Sequence, residues 1–408
     1  MSEQTEAWRW VCCHLGAREH YAVPRALHRA QRLELLVTDA WSVPGTIKAS
    51  LGSAGSARLG QRFHPDLADA NVRSLTGSLM AHELGWRLRR RQGWDLVMAR
   101  NQWFQANASR VLGDGPARPR TMVFAHSYSA RQILAEARRR GWTTVLGQID
   151  PGPDHYRAQE RLAIEQPEFG AAPSSPPAAY FDQWRQECEL ADWIVVNSDW
   201  SRDSLIRAGV NAGKLKTIPL SYEPTEAPSN DRRYPDRFST ARPLRALFVG
   251  TASVAKGVGD LLQAFGQLGD TPITLQLVGD RALGVPDRFA NDPRIQWVGP
   301  VDRSTVMAHY RAADVLIFPS HSDGFGMAQI EALGWSLPIL ASRNCGRVVT
   351  DGETGVLLDE VTPASIAAAL QRLAAAPGLL QRFSETMRST HRAGLQELAA
   401  ALRSLEPA

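Results

Sequence analysis

Asp314-Val-Leu-Ile-Phe-Pro-Ser-His-Ser-Asp-Gly-Phe-Gly-Met-Ala-Gln-Ile-Glu-Ala-Leu-Gly-Trp-Ser-Leu-Pro-Ile-Leu-Ala-Ser342 is the stretch whose reading decides the fold. It begins with an apolar run, Val315 to Phe318, ended by a proline, which reads as a short strand covered on both faces. A turn containing Gly324 and Gly326 follows, and helical spacing resumes at Met327, Ile330 and Leu333. A second apolar run, Pro338 to Ala341, closes the unit. Strand, glycine turn, helix and strand in that order make a parallel crossover.

The same alternation runs outward from this unit. Upstream lie a strand at Leu244–Val249, a helix over Val258 to Leu268, and strands at Thr274–Val278 and Arg294–Val298. Further back, strands are expected at Trp8–Cys13, Leu33–Thr38, Asp95–Ala99, Thr121–Ala125, Thr143–Ile149 and Trp193–Asn197, with a helix from His20 to Arg32. The pattern stops between Glu223 and Pro243, where four prolines and many charges without a period read as an interdomain linker. The expectation is an α/β protein of two doubly wound domains facing a central cleft, roughly 1–222 and 244–389, with ligands beyond the carboxyl ends of the strands. Glu165 to Pro177, with prolines at 167, 173, 176 and 177, reads as a surface loop able to act as an active-site lid.

Composition narrows the class. The chain has 408 residues, 44% hydrophobic and 22% charged, which suits two globular domains and excludes wholesale disorder. Its formal charge of +4 is too small to imply a nucleic-acid partner. No apolar run approaches the roughly 20 residues of a membrane span. The start, Met1 to Glu6, is polar and acidic, so the expected location is the cytoplasm. Cys12, Cys13, Cys188 and Cys345 lack metal-ligand spacing and fit buried, reduced thiols. The stretch from Trp86 to Trp94 combines arginines with tryptophan; it reads either as a solvated helix face or as a peripheral contact with anionic lipid at the inner membrane face.

The glycine turn also carries the chemistry. A turn of this kind feeding a helix exposes unpaired amide N–H groups at the positive end of the helix dipole, which is an anion site. Asp323 precedes the helix and Glu331 lies along it, where its carboxylate can accept hydrogen bonds from a ribose diol. Singly, they read as an N-cap aspartate and an ordinary helix glutamate. The whole string argues otherwise.

It resembles the signature of the retaining glycosyltransferases of family 4, which have the two-domain GT-B fold. Phe248-Val-Gly250 followed by Lys256-Gly257, Leu277-Val-Gly-Asp280, Ala191 to Ser198 and Asp351-Gly-Glu-Thr-Gly355 are similar to other family segments in the same order. The resemblance implies two Rossmann-like domains, with the segment from about 390 to 408 packing back on the first. It also implies that Lys256 meets a donor diphosphate, helped by the Gly250–Thr251 strand end, and that Glu331 holds the ribose. Asp323, Gly324, Phe325, Gly326 and Met327 would contact the transferred sugar. In the first domain, Gly16 and Ala17 would line the loop after the first strand, and His126 would stand near the donor sugar. The implied catalytic set is His126, Asp323 and Lys256, with no metal and no cofactor. The implied partners are a nucleotide sugar, UDP- or GDP-linked, and a glycan, lipid-linked or small-molecule acceptor.

Some positions depart from the family pattern. Thr251 stands where an arginine is usual, so either charge compensation is weaker or another basic residue such as Arg281 or Arg343 supplies it; Asp323 stands for a glutamate, and the first loop has one glycine, not two. The expected reaction is transfer of a hexose with retention, in polysaccharide or glycolipid synthesis. Its rivals are a nucleotide-sugar epimerase using Asp150 or Asp154, and a binding partner with little activity. A dinucleotide oxidoreductase is excluded, since no G-x-G-x-x-G follows the first strand of either half.

Overall fold

The apolar runs become parallel strands in a computed structural model that describes residues 7–44, 62–116, 118–170, 175–223, 232–390 and 393–407. The first sheet contains β1 (Arg9–His14), β2 (Leu33–Thr38), β3 (Val72–Ser74), β4 (Thr121–His126), β5 (Thr143–Gly147), β6 (Trp193–Val196) and β7 (Leu215–Thr217). The second contains β8 (Leu244–Val249), β9 (Ile273–Val278), β10 (Ile295–Gly299), β11 (Val315–Phe318), β12 (Ile339–Ser342) and β13 (Gly355–Leu358). Their orders are β3-β2-β1-β4-β5-β6-β7 and β10-β9-β8-β11-β12-β13. In each sheet the order reverses direction at one place, beside β1 and β4 in the first and beside β8 and β11 in the second. Such switch points open a crevice at the strands' carboxyl ends, and the two crevices face each other.

Burial explains the helices. Trp10, Leu27, Leu36 and Met122 form one layer of the first domain, and Leu395, Leu398 and Leu402 of the closing helix, Leu395–Arg403, complete it. The indole of Trp8 donates to the Pro407 carbonyl at 2.9 Å, tying the two ends of the chain together. Residues 232–243 belong to the second domain: Phe238 is buried in its core, and Arg242 clamps Asp314 at 2.7 Å. Residues 224–231 of the expected linker lie outside the described residues.

Three sequence expectations need correction. Asp95–Ala99 is no strand but part of a helix, Gly93–Asp114, whose buried Ala99, Trp103, Phe104, Ala108 and Leu112 follow helical spacing. Five residues were too short a window to separate the two periods. The helix expected from His20 to Arg32 spans only Ala22–Arg29, because Glu19, His20 and Tyr21 hold φ of 52°, 52° and 59°, outside right-handed helix. The segment expected as a surface lid instead crosses the domains at Pro167–Phe169: Phe169 is fully buried in the second domain's core, its ring stacked on Phe289 at 6.2 Å. Residues 171–174 of that segment lie outside the described residues.

Candidate active site

A cavity of about 450 Å3 lies between the two sets of strand ends, within the usual range of small-molecule sites. The second domain contributes Gly250, Thr251, Lys256, Asp323, Phe325, Gly326, Met327 and Glu331. All but Met327 and Glu331, which lie in the following helix, come from the loops that leave the strand ends at the switch point. Gly250 and Thr251 leave β8, Lys256 ends the following loop, and the turn after β11 carries Asp323 to Gly326 into a helix, Met327–Gly334. Gly326 takes φ 95°, a left-handed conformation that lets the chain turn sharply into the helix while Gly326 and Met327 still face the cavity. Gly257 is fixed by packing, since a Cβ there would collide with the Pro319 carbonyl oxygen. The glycine brings the Lys256 loop against the β11 turn.

Lys256 and Asp323 form an ion pair, and the ammonium also lies 5.5 Å from the centroid of the Phe318 ring. The other Asp323 oxygen accepts from the Phe325 amide at 3.3 Å. Glu331 accepts a hydrogen bond from the Tyr310 hydroxyl at 2.7 Å and lines both this cavity and an adjoining one of about 570 Å3. The second cavity runs between Gly279, Asp280, Pro300 and Val301 on one side and Ala17, His20, Tyr21, Phe63 and His64 on the other. Gly16 lies one residue before this wall, and its amide donates to Asp39 at 3.0 Å. Gly324 seats the second domain on the first: its carbonyl accepts from Ser198 at 2.6 Å and Ser201 at 3.1 Å.

His126 is placed apart from this group. It is buried at the end of β4, edge-on to His14 with ring centroids 4.5 Å apart, and faces a water-sized cavity of about 20 Å3. Burial holds its pKa well below the ordinary histidine value, with His14 and Arg18 adding to the effect. The ring is therefore neutral. Burial likewise lowers His14 to about 3.

Glu19 bridges the two places, lining the small cavity with His126 and the large one with Lys256. Burial pushes its carboxyl up to about 7, with Arg18 pulling the other way. Sequence reasoning missed both residues. The Arg18-Glu19 pair sits in the loop after β1, but no periodicity or spacing marks it, because three consecutive left-handed residues carry it into the cleft.

Arg18 also settles where a second cation stands. Arg343 is engaged with Asp359 at 3.1 Å, and Arg281 lies over the Trp297 ring at 5.6 Å; neither lines the cavity. Arg18 does. The carboxylates considered for epimerase chemistry are engaged as well. Asp150 accepts from the hydroxyls of Tyr128 (2.7 Å) and Tyr156 (3.0 Å) and from the Gly152 amide (2.8 Å), while Asp154 accepts from Arg157 at 2.7 Å and Arg207 at 3.1 Å. Among the described residues no three His, Cys, Asp or Glu side chains converge as metal ligands would.

Comparison with known proteins points the same way. Residues 243–376 match the family model described as glycosyl transferases group 1. A D-inositol 3-phosphate glycosyltransferase of Corynebacterium kroppenstedtii is 28% identical over 62% of this chain and 59% of its own length. Another, from Catenulispora acidiphila, is 29% identical over 49% of this chain and 52% of its own length. The chain thus spans about half the length of the curated relatives it matches. Among solved structures, Anabaena HepE in complex with UDP-glucose superposes with a TM-score of 0.63 at 14% identity, covering 98% of this chain and 100% of HepE. Sucrose-phosphate synthase from Thermosynechococcus elongatus gives 0.62 at 16% identity, covering 98% of each chain. At such identities the likeness establishes the shared fold.

Proposed function

Because residues 243–376 match the family model of group 1 glycosyltransferases and the two facing sheets make the GT-B fold, we propose that this protein transfers a sugar from a nucleotide-diphosphate donor to an acceptor hydroxyl, with retention and without a metal. One observation carries the reading: a single cavity brings together Lys256, Arg18, the N-terminus of the helix Met327–Gly334 and Glu331. Two cations and a helix dipole suit a diphosphate, and a carboxylate at the far end of the same wall suits a ribose diol.

In this reading the donor diphosphate displaces Asp323 from Lys256. Asp323 then turns to the hydroxyls of the transferred sugar, beside the Gly324–Gly326 backbone. The bond from the anomeric carbon to the phosphate oxygen breaks with oxocarbenium character, and Lys256, Arg18 and the helix amides stabilise the departing charge. The acceptor hydroxyl enters on the same face, its proton passes to a diphosphate oxygen, and retention follows. These cations and amides supply the positive charge, so no metal is invoked. Buried His126 faces only the water-sized cavity and is given no step in the transfer.

The donor base is proposed to lie in the adjoining cavity between Gly279–Asp280 and Pro300–Val301. UDP is the first to try, because the HepE structures were solved with UDP and UDP-glucose. The acceptor is proposed to be a glycan, a lipid-linked sugar or a small molecule. An epimerase gains no support, since Asp150 and Asp154 are already held by other donors. The test is thermal shift with UDP, GDP, ADP and CDP, followed by product analysis with the matching sugar nucleotide. A raised melting temperature with one nucleotide, and a first-formed product whose anomeric NMR coupling matches the donor's, are expected. Inverted configuration would sink the mechanism, and no shift with any nucleotide would sink the site.

A further inference from the structure

The helix Thr76–Leu88 leaves a face uncovered. Its inner side packs on the first domain: Leu79 and buried Trp86 join the core beside Trp103, whose indole donates to Ser78 at 3.1 Å, and Glu83 pairs with Arg100 at 2.5 Å. Its outer side carries Met80, Leu84 and Leu88, one turn apart, at 53%, 61% and 76% exposure. These are three of the seven large hydrophobic side chains exposed among the described residues, and Val97 of the next helix is a fourth. A run of apolar side chains at steps of four on a solvent-facing helix is no random scatter of surface leucines.

Charge says what would cover it. Arg87, Arg89 and Arg90 are exposed at the carboxyl end of the stripe, and no ion pair of theirs is found among the described residues. Arg91 reaches Asp95 at 3.3 Å. The half-buried Trp94 stands just beyond, its ring 5.0 Å from Tyr180. An apolar stripe ending in a basic cluster matches a lipid surface, with aliphatic side chains among the acyl chains and arginines at anionic headgroups. The face is also well placed. The helix starts at the carboxyl edge of the first sheet, where the Leu75 amide donates to the carbonyl of Thr38, the last residue of β2. That is the edge that opens into the cleft. No helix among the described residues is long and apolar enough to cross a membrane.

We infer that the outer face of Thr76–Leu88 is a docking surface for a bilayer rich in anionic lipid. The experiment is co-sedimentation of the full chain with vesicles of phosphatidylcholine alone, and with phosphatidylglycerol mixed in, at low and high salt. Binding to the anionic vesicles, and its weakening by salt, are expected. Arg87→Gln, Arg89→Gln and Arg90→Gln should each reduce binding on the order of fivefold. Leu84→Ser with Leu88→Ser should reduce it on the order of tenfold in a manner that salt does not mimic. All five side chains are exposed, so unchanged melting temperatures check that the variants are folded. Equal binding to both vesicle types, or binding indifferent to all five substitutions, overturns the inference. So does concentration-dependent dimerisation lost in the leucine variant, since a second copy would then cover the stripe. No turnover is measured, so the outcome is independent of the glycosyltransferase reading.

Discussion

Two strand-to-helix turns meet across the cavity, and they solve the same problem in opposite ways. In the second domain the turn after β11 uses glycines, places its carboxylate beside a cation as the Lys256–Asp323 pair, and leaves helix amides facing the ligand space. In the first domain the turn after β1 uses Glu19, His20 and Tyr21 in left-handed conformations, and partial burial raises its carboxyl to about 7. The first arrangement is held ready for a permanent anion. The second holds a group whose charge changes near neutrality. The comparison teaches that the second-domain wall of this cleft is preformed by composition, whereas the opposite wall is formed by strain.

The largest effect expected is at the donor turn. Lys256→Ala should lower turnover by about 100- to 1,000-fold, the usual cost of removing one stabiliser of developing charge. It also leaves Asp323 without its cation, so nucleotide-induced thermal shift should fall too. A loss below tenfold would mean that Arg18 carries the diphosphate and that the two turns have exchanged roles. Next comes Glu331→Ala, which removes an acceptor held by Tyr310. A hydrogen bond to a charged group contributes about 1.5–3 kcal/mol, so affinity for the nucleotide should drop roughly 10- to 100-fold. Isothermal titration with the nucleoside diphosphate reads it directly, and unchanged affinity would place the ribose elsewhere.

The opposite wall predicts a smaller, pH-dependent effect. Glu19 has a folded pKa of about 7 against an ordinary value of 4.5. The folded state therefore binds more protons between those values, and the contribution of Glu19 to stability declines as pH rises through that window. Above pH 7 the carboxylate is ionised opposite the place proposed for the donor phosphates and would repel them. Glu19→Gln should therefore leave activity near pH 6 almost unchanged, raise it several-fold near pH 8, and flatten the alkaline limb of kcat/KM. A limb that persists in the variant would assign the titration to another group. Neutral His126 and His14 are poor candidates, because both stay deprotonated throughout that range.

The contrast between the turns also explains what could be read from residue order alone. That the second-domain turn would gather these residues was legible because the pattern is local: Gly324, Gly326, Asp323 and Glu331 lie within one crossover, and Lys256 follows the neighbouring strand. The two sheets were legible for the same reason, since buried parallel strands are short apolar runs with turn residues at both ends. Asp95–Ala99 failed because a buried helix can show the same short run when its turns are not counted. The segment at Pro167–Phe169 failed differently. Prolines mark a break in regular structure, but nothing local says that a phenylalanine within the break will fill another domain's core. Arg18 and Glu19 were invisible because their position depends on backbone angles that no spacing encodes. The engagement of Arg343 by Asp359 was equally beyond reach, being a contact between the ends of two strands, β12 and β13.

The smallest expected effect tests whether the strain in the first turn has a purpose. A non-glycine residue in left-handed conformation costs roughly 1–2 kcal/mol, and here three stand in a row. If the arrangement were incidental, relieving it would only stabilise the protein. His20→Gly permits the same φ without a Cβ, so the folded state should gain about 1 kcal/mol. In a chain of this size that is a rise of about 2–4 °C in melting temperature at most. The same substitution loosens the link between Glu19 and the helix Ala22–Arg29, where the Ala22 amide donates to the Glu19 carbonyl, and lets the half-buried carboxylate move further into water. Its pKa should then move back toward 4.5, and the alkaline limb of the pH profile should shift to lower pH while the protein becomes more stable. Stabilisation with an unshifted limb would show that Glu19 is positioned by the cavity walls alone and that the left-handed turn is merely tolerated. Stabilisation with the shift would mean that the strained loop sets the charge of the wall opposite the donor.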